Sequence, residues 1–324
     1  MPLNIISQSV RKNILYQVNT ARSGHPGGAL SCADILITIY YQTIKEGDKV
    51  ILSKGHGCAA LYAVLAEKSF FPKEELGDFR KINTRIQGHP AFGKTPGVDA
   101  PSGSLGQGLS IANGIAMSFK MNKKDNYVYC VIGDGEAQEG QIWEAAMTAS
   151  HYKLNNVIAF IDHNKLQIDG TNDEVMTIMP IKEKFEAFGW YVQEVDGHNF
   201  KEIEEAINNA KKQDKPSMII AETIKGKGVS YMENKVEWHG KAPNDEEYKK
   251  ALEDLDKKFL IDEGLEPAEF TEETLSNSKK FNEVFAPEET TEKLDKEKID
   301  YEKMMAELEK RFDELFAQNK GGEN

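Results

Sequence analysis

An aspartate inside a Gly-Asp-Gly turn and an asparagine one structural unit later could do chemistry together. They are Asp134 in Gly133-Asp134-Gly135 and Asn164 in Asp162-His163-Asn164-Lys165. A carboxylate and an amide oxygen are hard donors. They suit Mg²⁺, with Ca²⁺ or Mn²⁺ as substitutes, better than zinc. Mg²⁺ held by so few side chains completes its shell with water and phosphate oxygens, so a metal-bridged diphosphate is the implied ligand. Taken alone, the first motif is an ordinary Asp-Gly turn and Asn164 simply begins a loop. Their placement relative to each other makes them informative.

That placement follows from the surrounding pattern. Residues 127–132 form a short apolar run rich in β-branched and aromatic residues, as in a buried strand. Residues 141–152 carry Ile142, Ala145, Ala146, Ala149 and Tyr152 at helical spacing, and residues 157–161 are a second apolar run. Strand, helix and strand predict a right-handed βαβ unit with parallel strands. Asp134 and Asn164 then leave the carboxyl ends of strands, the edge where open α/β sheets bind ligands. Gly133 and Gly135 allow the backbone to approach such a ligand closely.

Of seven histidines, four lie beside glycine in loops: His25 (SGHPGG), His56 (SKGHG), His89 (QGHP) and His239 (WHG). Imidazoles donate hydrogen bonds to phosphate and exchange protons with hydroxyls near neutral pH. None is paired at H-x-x-x-H spacing, which argues against zinc. His151, His163 and His198 are expected to be structural. Gly and Pro place His25 on a turn. The predicted helix over 58–67 points its N-terminal amides at the loop holding His56, a ready anion site. The GSLGQG stretch, 103–108, could set backbone groups against a cofactor.

Further elements alternate. Helices are expected over 5–21, 31–41, 109–119 and 200–211, and strands over 50–52, 190–195 and 217–223. The fold class is therefore α/β, a doubly wound, mostly parallel sheet with helices on both faces. The chain has 324 residues with formal net charge −13, which argues against nucleic acid and membrane surfaces as partners. No run approaches the ~18 apolar residues of a membrane span. Residues 1–13 lack the apolar core of a secretory signal, so a cytoplasmic location is expected. Cys32, Cys58 and Cys130 are far apart and odd in number, and read as free thiols. From about Asn244 the buried-strand runs stop and charge dominates. Residues 1–274 are taken as the globular domain. Residues 275–324 are taken as a charged helical tail, with Leu294, Tyr301, Met305, Leu308, Phe312 and Leu315 on one face.

The GDG-to-Asn stretch resembles the thiamine diphosphate motif of transketolases, and Gly133–Gly140 (GDGEAQEG) is closer to them than to α-keto-acid dehydrogenases. SGHPGG, SKGHG, QGHP, GSLGQG and the late His-Gly occur in the same order in that family, extending the resemblance over 5–243. Ser104 stands where many members carry Pro. The resemblance implies a thiamine diphosphate-binding fold with the metal on Asp134, Asn164 and the Leu166 carbonyl. It implies His56 and His239 near the diphosphate, and His25, His89 and His239 on the sugar hydroxyls. Gly103 and Leu105 would meet the aminopyrimidine, and Ile168 the thiazolium ring. Glu139 and Glu144 would lie near a subunit interface, Glu139 approaching a glutamate of the other subunit. Only the first of the family's three domains is present, and the glutamate that activates the cofactor belongs to the second. The chain thus resembles the N-terminal subunit of a split transketolase. It is expected to act on sugar phosphates within an α2β2 assembly that includes a C-terminal subunit. A sulfonated or branched sugar, a catalytically silent scaffold, and a keto-acid dehydrogenase component are the alternatives.

Overall fold

A computed structural model describes residues 2–262, with side chains to residue 259; the predicted tail at 275–324 lies outside them. In chain order the elements begin with α1 (Leu3–Ala21), α2 (Pro26–Thr38), β1 (Lys49–Leu52), α3 (Cys58–Glu67) and α4 (Gln107–Met121). The βαβ unit follows as β2 (Val128–Gly133), α5 (Gly140–His151) and β3 (Val157–His163). Then come α6 (Asn172–Val175), α7 (Ile181–Ala187), β4 (Tyr191–Asp196), α8 (Phe200–Ala210), β5 (Ser217–Glu222) and α9 (Asp245–Asp262). The five strands lie in the order β1-β2-β3-β5-β4 and every pair is parallel.

The apolar strands read as unbroken runs because both faces of the sheet are covered. Along β2, Tyr129 and Val131 point into a core built with α1, α2, α3, α8 and α9. Val128, Cys130 and Ile132 point into a second core built with α4, α5 and α7. Alternation at period two thus feeds two apolar layers, and the sheet is doubly wound as expected. Cys32, Cys58 and Cys130 are buried free thiols.

Two local expectations need correction. The SGHPGG stretch is not all loop: α2 starts at Pro26, with His25 as its N-cap. Proline suits the first helical position, since its missing N–H has no intrahelical partner there. Gly27 is required because a Cβ would come within 2.7 Å of the Trp238 carbonyl. The helix also ends sooner than expected, passing into a π-helical turn over Ile39–Thr43. The second correction is α9, in a region read only as charge-rich. Its start is a reciprocal cap, in which Asn244 Oδ1 accepts from the Glu247 amide and the Glu247 carboxylate accepts from the Asn244 amide. Its buried face, Ala251 and Leu255, joins the core beside α1.

Candidate active site

Because all five strands are parallel, the segments leaving β1, β2, β3 and β5 emerge at one edge. There they surround a cavity of about 1010 Å³. The predicted residues His25, His56, Gly103, Leu105, Gly133, Asp134, Gly135, Glu139, Asn164, Leu166, Ile168 and His239 all line it. His89 does not, although its ring lies beside the wall, 3.4 Å from where a Cβ on Gly103 would stand. Glu139 and Glu144 are both exposed in the single chain.

The oxygen donors are held in place by their neighbours. Asp134 is buried at the end of β2, and its carboxylate accepts from the backbone amides of Gly135 and Lys165. Asn164 turns its Nδ2 toward Asp162 (3.3 Å) and Ser31 (3.4 Å), so its Oδ1 remains an acceptor. Lys165 adopts φ +66°, a left-handed bend between Asn164 and Leu166. Burial, then repulsion from Asp162, pushes the Asp134 carboxyl up to about 6. A carboxylate made costly in this way gains from a divalent cation. Among the described residues no three His, Cys, Asp or Glu side chains group as a metal site. The donor set that fits a hard ion is one carboxylate, one amide and one carbonyl.

Four residues missed at the sequence level organise the walls. Lys54 and Asp162 form an ion pair with side chains 1% and 0% exposed. Lys54 also donates to the Gly28 carbonyl at 2.8 Å. Asp162 accepts from Ser31 at 2.6 Å and from Thr223, tying α2, β1, β3 and β5 together. Burial alone would lower the Lys54 pKa; Asp162, with Cys32 and Asp134, more than offsets it, and the net shift is upward. Buried Glu136 takes the amides of Gly106 (2.9 Å) and Gly133 (3.0 Å) and the Ser53 hydroxyl, joining three cavity loops. Lys225 Nζ donates to the Leu166 carbonyl (3.1 Å) and to His239 Nδ1 (2.9 Å). Burial, then the Lys54 charge, lowers the Lys225 ammonium to about 8.

Three of the four loop histidines cluster. His25, His56 and His239 have ring centroids 5.1 to 5.6 Å apart. Arg80 donates to His25 Nδ1 and Lys225 to His239 Nδ1, so the neutral ring carries its proton on Nε2 in each case. Burial is the first cause holding His25 down to about 4 and His239 to about 3; the neighbouring cations add to it. His56 is lowered for the same reasons. The cavity therefore offers two ammonium groups and neutral imidazoles beside a hard oxygen set, a combination suited to a metal-bound phosphate anion. His163 and His198, expected to be structural, pair with Glu222 and Asp34 respectively.

Comparison with known proteins agrees with this chemistry. The family described as "Transketolase, thiamine diphosphate binding domain" matches residues 4–320. A 6-deoxy-6-sulfo-D-fructose transketolase subunit from Clostridium sp. (strain MSTE9) is 44% identical over 258 residues, covering 76% of this chain and 94% of that one. An apulose-4-phosphate transketolase subunit from Phocaeicola vulgatus is 38% identical over 270 residues, covering 79% and 95%. The transketolase of Homo sapiens is 41% identical, but only 38% of its length is covered. The crystal structure of transketolase from Campylobacter jejuni superposes with a TM-score of 0.71 at 31% identity, over 86% of this chain and 46% of that one.

Proposed function

The chain belongs to the transketolase family through its thiamine diphosphate-binding domain, and from that premise we propose that it is the N-terminal subunit of a two-subunit transketolase. It would transfer a two-carbon ketol unit from a ketose phosphate to an aldose phosphate together with a separate C-terminal subunit. The observation that carries this reading is the convergence of Asp134, Asn164 and the Leu166 carbonyl with Lys54, Lys225 and the three clustered histidines on one cavity. The extent of the relatives supports the division of labour. The Clostridium and Phocaeicola relatives, covered almost end to end, are named as subunits, whereas the transketolase of Homo sapiens is covered over 38%.

The residues present fit the cofactor. Asp134, Asn164 and the Leu166 carbonyl would hold Mg²⁺, with Ca²⁺ or Mn²⁺ as alternatives, and Lys54, Lys225, His56 and His239 would face the diphosphate. Thiamine diphosphate, when bound, supplies a carbon nucleophile and an electron sink for cleaving the bond beside a ketose carbonyl. The chain's own residues bind and orient. Gly103, Leu105 and Ile168 would flank the rings; Leu105 is 37% and Ile168 68% exposed, apolar surface that such a ligand would cover. His25 and His239, each with its proton on Nε2, would donate to sugar hydroxyls, and His89 would reach them from beside Gly103. A bound dianion raises the pKa of these imidazoles from their depressed values, bringing them nearer to proton exchange.

The C-terminal subunit would complete the site. Val175, Met176 and Met179, a few residues after Ile168 in the chain, are exposed apolar side chains that suit burial against that subunit. Glu139 would meet a carboxylate there, the two sharing a proton. An α2β2 assembly and a partner-holding role for residues 275–324 complete the proposal; assembly undiminished by deleting 275–324 would remove the latter. A sulfonated or branched sugar is the second reading for the substrate, favoured by the names of the two subunit relatives. Its terminal group would be read mainly by the partner. The test is Asp134→Ala in the assembled complex. Metal-dependent thiamine diphosphate affinity is expected to fall at least about a hundredfold, as on loss of a charged metal ligand. Unchanged affinity would sink the assignment. Rates with xylulose 5-phosphate, 6-deoxy-6-sulfofructose and apulose 4-phosphate as donors then decide the sugar.

A further inference from the structure

One loop serves two cavities. Residues 224–228 read Ile-Lys-Gly-Lys-Gly; Lys225 lines the cavity just described and Lys227 lines a second one. The second cavity, of about 590 Å³, lies between α1, the start of α8 and the last turns of α9. Arg11, Lys227 and Lys258 contribute its cationic side, and Phe200, Leu255 and Phe259 its apolar side.

The carboxylate on its wall is already committed. Asp34 takes both terminal nitrogens of Arg11 (2.8 and 2.7 Å), His198 Nδ1 (2.8 Å) and the Ser7 hydroxyl (2.8 Å). The side-chain ammonium groups of Lys227 and Lys258 make no hydrogen bond or salt bridge to any described residue. Burial lowers the Lys227 ammonium, and Lys258 lowers it further; Glu233 and Asp34 pull the other way without reversing the shift. Among the described residues these two ammonium groups face one cavity without an anionic partner, in a chain whose net charge is −13. A group carrying two negative charges would balance both, where a carboxylate would balance one. The apolar wall calls for more than a bare ion, as is usual for small-molecule sites.

We infer that this second cavity binds a small organic phosphate, with its dianionic head at Lys227 and Lys258 and its body against Phe200, Leu255 and Phe259. The site stands whether or not the proposed function holds. It is joined to the first cavity through the shared loop. Arg11 Nε donates to the Lys227 carbonyl at 3.3 Å, and His198 Nε2 accepts from the Ile224 amide at 2.9 Å. An occupant therefore steadies the backbone that presents Lys225 to the other cavity.

The test is hydrogen–deuterium exchange of the full-length chain titrated with phenyl phosphate. Slower exchange is expected over 4–11, 224–231 and 252–259. In the variant Lys227→Met/Lys258→Met the affinity read from that protection falls at least about tenfold, since two charge-assisted contacts are lost. Lys258→Gln alone, at an exposed helix position, shows a smaller loss in the same direction and guards against misfolding of the double variant. Protection confined to 133–139 and 164–170 would place the probe in the first cavity and overturn the inference. Equal protection in the variants, or none at saturating probe, would overturn it as well.

Discussion

Replacing Lys54 with methionine tests the electrostatic frame of the site. Methionine matches the lysine stem in volume, so packing is nearly kept and the charge is lost. Asp162, fully buried, would keep Ser31, Thr223 and Asn164 as donors but lose the cation it is ion-paired with, and the Gly28 carbonyl would lose its Lys54 contact. Breaking a buried pair from one side costs about 3–5 kcal/mol, because the remaining charge is stranded. At roughly 2–4 °C per kcal/mol for a chain of this size, the midpoint should fall on the order of ten degrees. The pH dependence gives a sharper signature. In the native chain burial would raise the Asp162 pKa, but Lys54 together with the Ser31 and Thr223 hydrogen bonds outweighs it and the net shift is downward. Its contribution is present above the unfolded carboxylate pKa and is lost as pH falls through the folded value. In the variant the Asp162 pKa rises instead, so the deficit is full at neutral pH and shrinks on acidification as the carboxyl takes a proton. Urea unfolding of both proteins from pH 7 to 5 should show the two stabilities converging. Lys54→Met/Asp162→Asn should recover most of the loss. A single variant within about 1 kcal/mol of the native chain at pH 7, below the range for a broken buried pair, would refute the reasoning. So would a double variant no better than the single one.

Other expectations follow from the same geometry. Gly108→Ala sets a Cβ 2.8 Å from the Ser53 Cα and closer still to its side chain, so α4 must shift; a loss of several kcal/mol is expected by thermal melting, and native stability would contradict it. Asp134→Asn removes a carboxylate whose pKa is raised, a group that weakens the fold above that value. The metal-free chain should gain up to about 2 kcal/mol at pH 7 while losing metal-dependent cofactor binding, and a marked loss of stability would argue otherwise. His25 and His239 should stay neutral well below pH 6 in the ligand-free chain, so their NMR shifts should show no inflection near 6.5. Their folded pKa values are depressed, and the stability they permit is therefore lost as pH falls from about 6.5 toward 4; an ordinary titration of either ring would refute their burial.

Much of this architecture is legible in the sequence because the strands are buried on both faces. The run at 127–132 has no polar alternation to obscure it, and its Gly-Asp-Gly exit marks the edge where ligands sit. Asn164 could be paired with Asp134 because one βαβ unit separates them. Lys54, Asp162, Glu136 and Lys225 were not legible in the same way. Lys54 meets Asp162 across 108 residues of sequence and Glu136 meets Ser53 across 83, and no local pattern announces such partners. The helix α9 did carry a signal, the Asn244 and Glu247 cap followed by Tyr248, Ala251 and Leu255 at helical spacing. Its charge density hid that apolar face. The start of α2 was concealed by glycines that usually punctuate loops but here make room for the Trp238 carbonyl.

The central claim, that this chain is one half of a transketolase, is tested most directly by a ketol-transfer assay. Xylulose 5-phosphate and ribose 5-phosphate would be supplied with thiamine diphosphate and Mg²⁺. The purified chain would be assayed alone and mixed with a C-terminal transketolase subunit from the same source. No turnover is expected from the chain alone, and turnover from the mixture. Robust transfer by the single chain would contradict the claim, as would a mixture that neither turns over nor binds the cofactor.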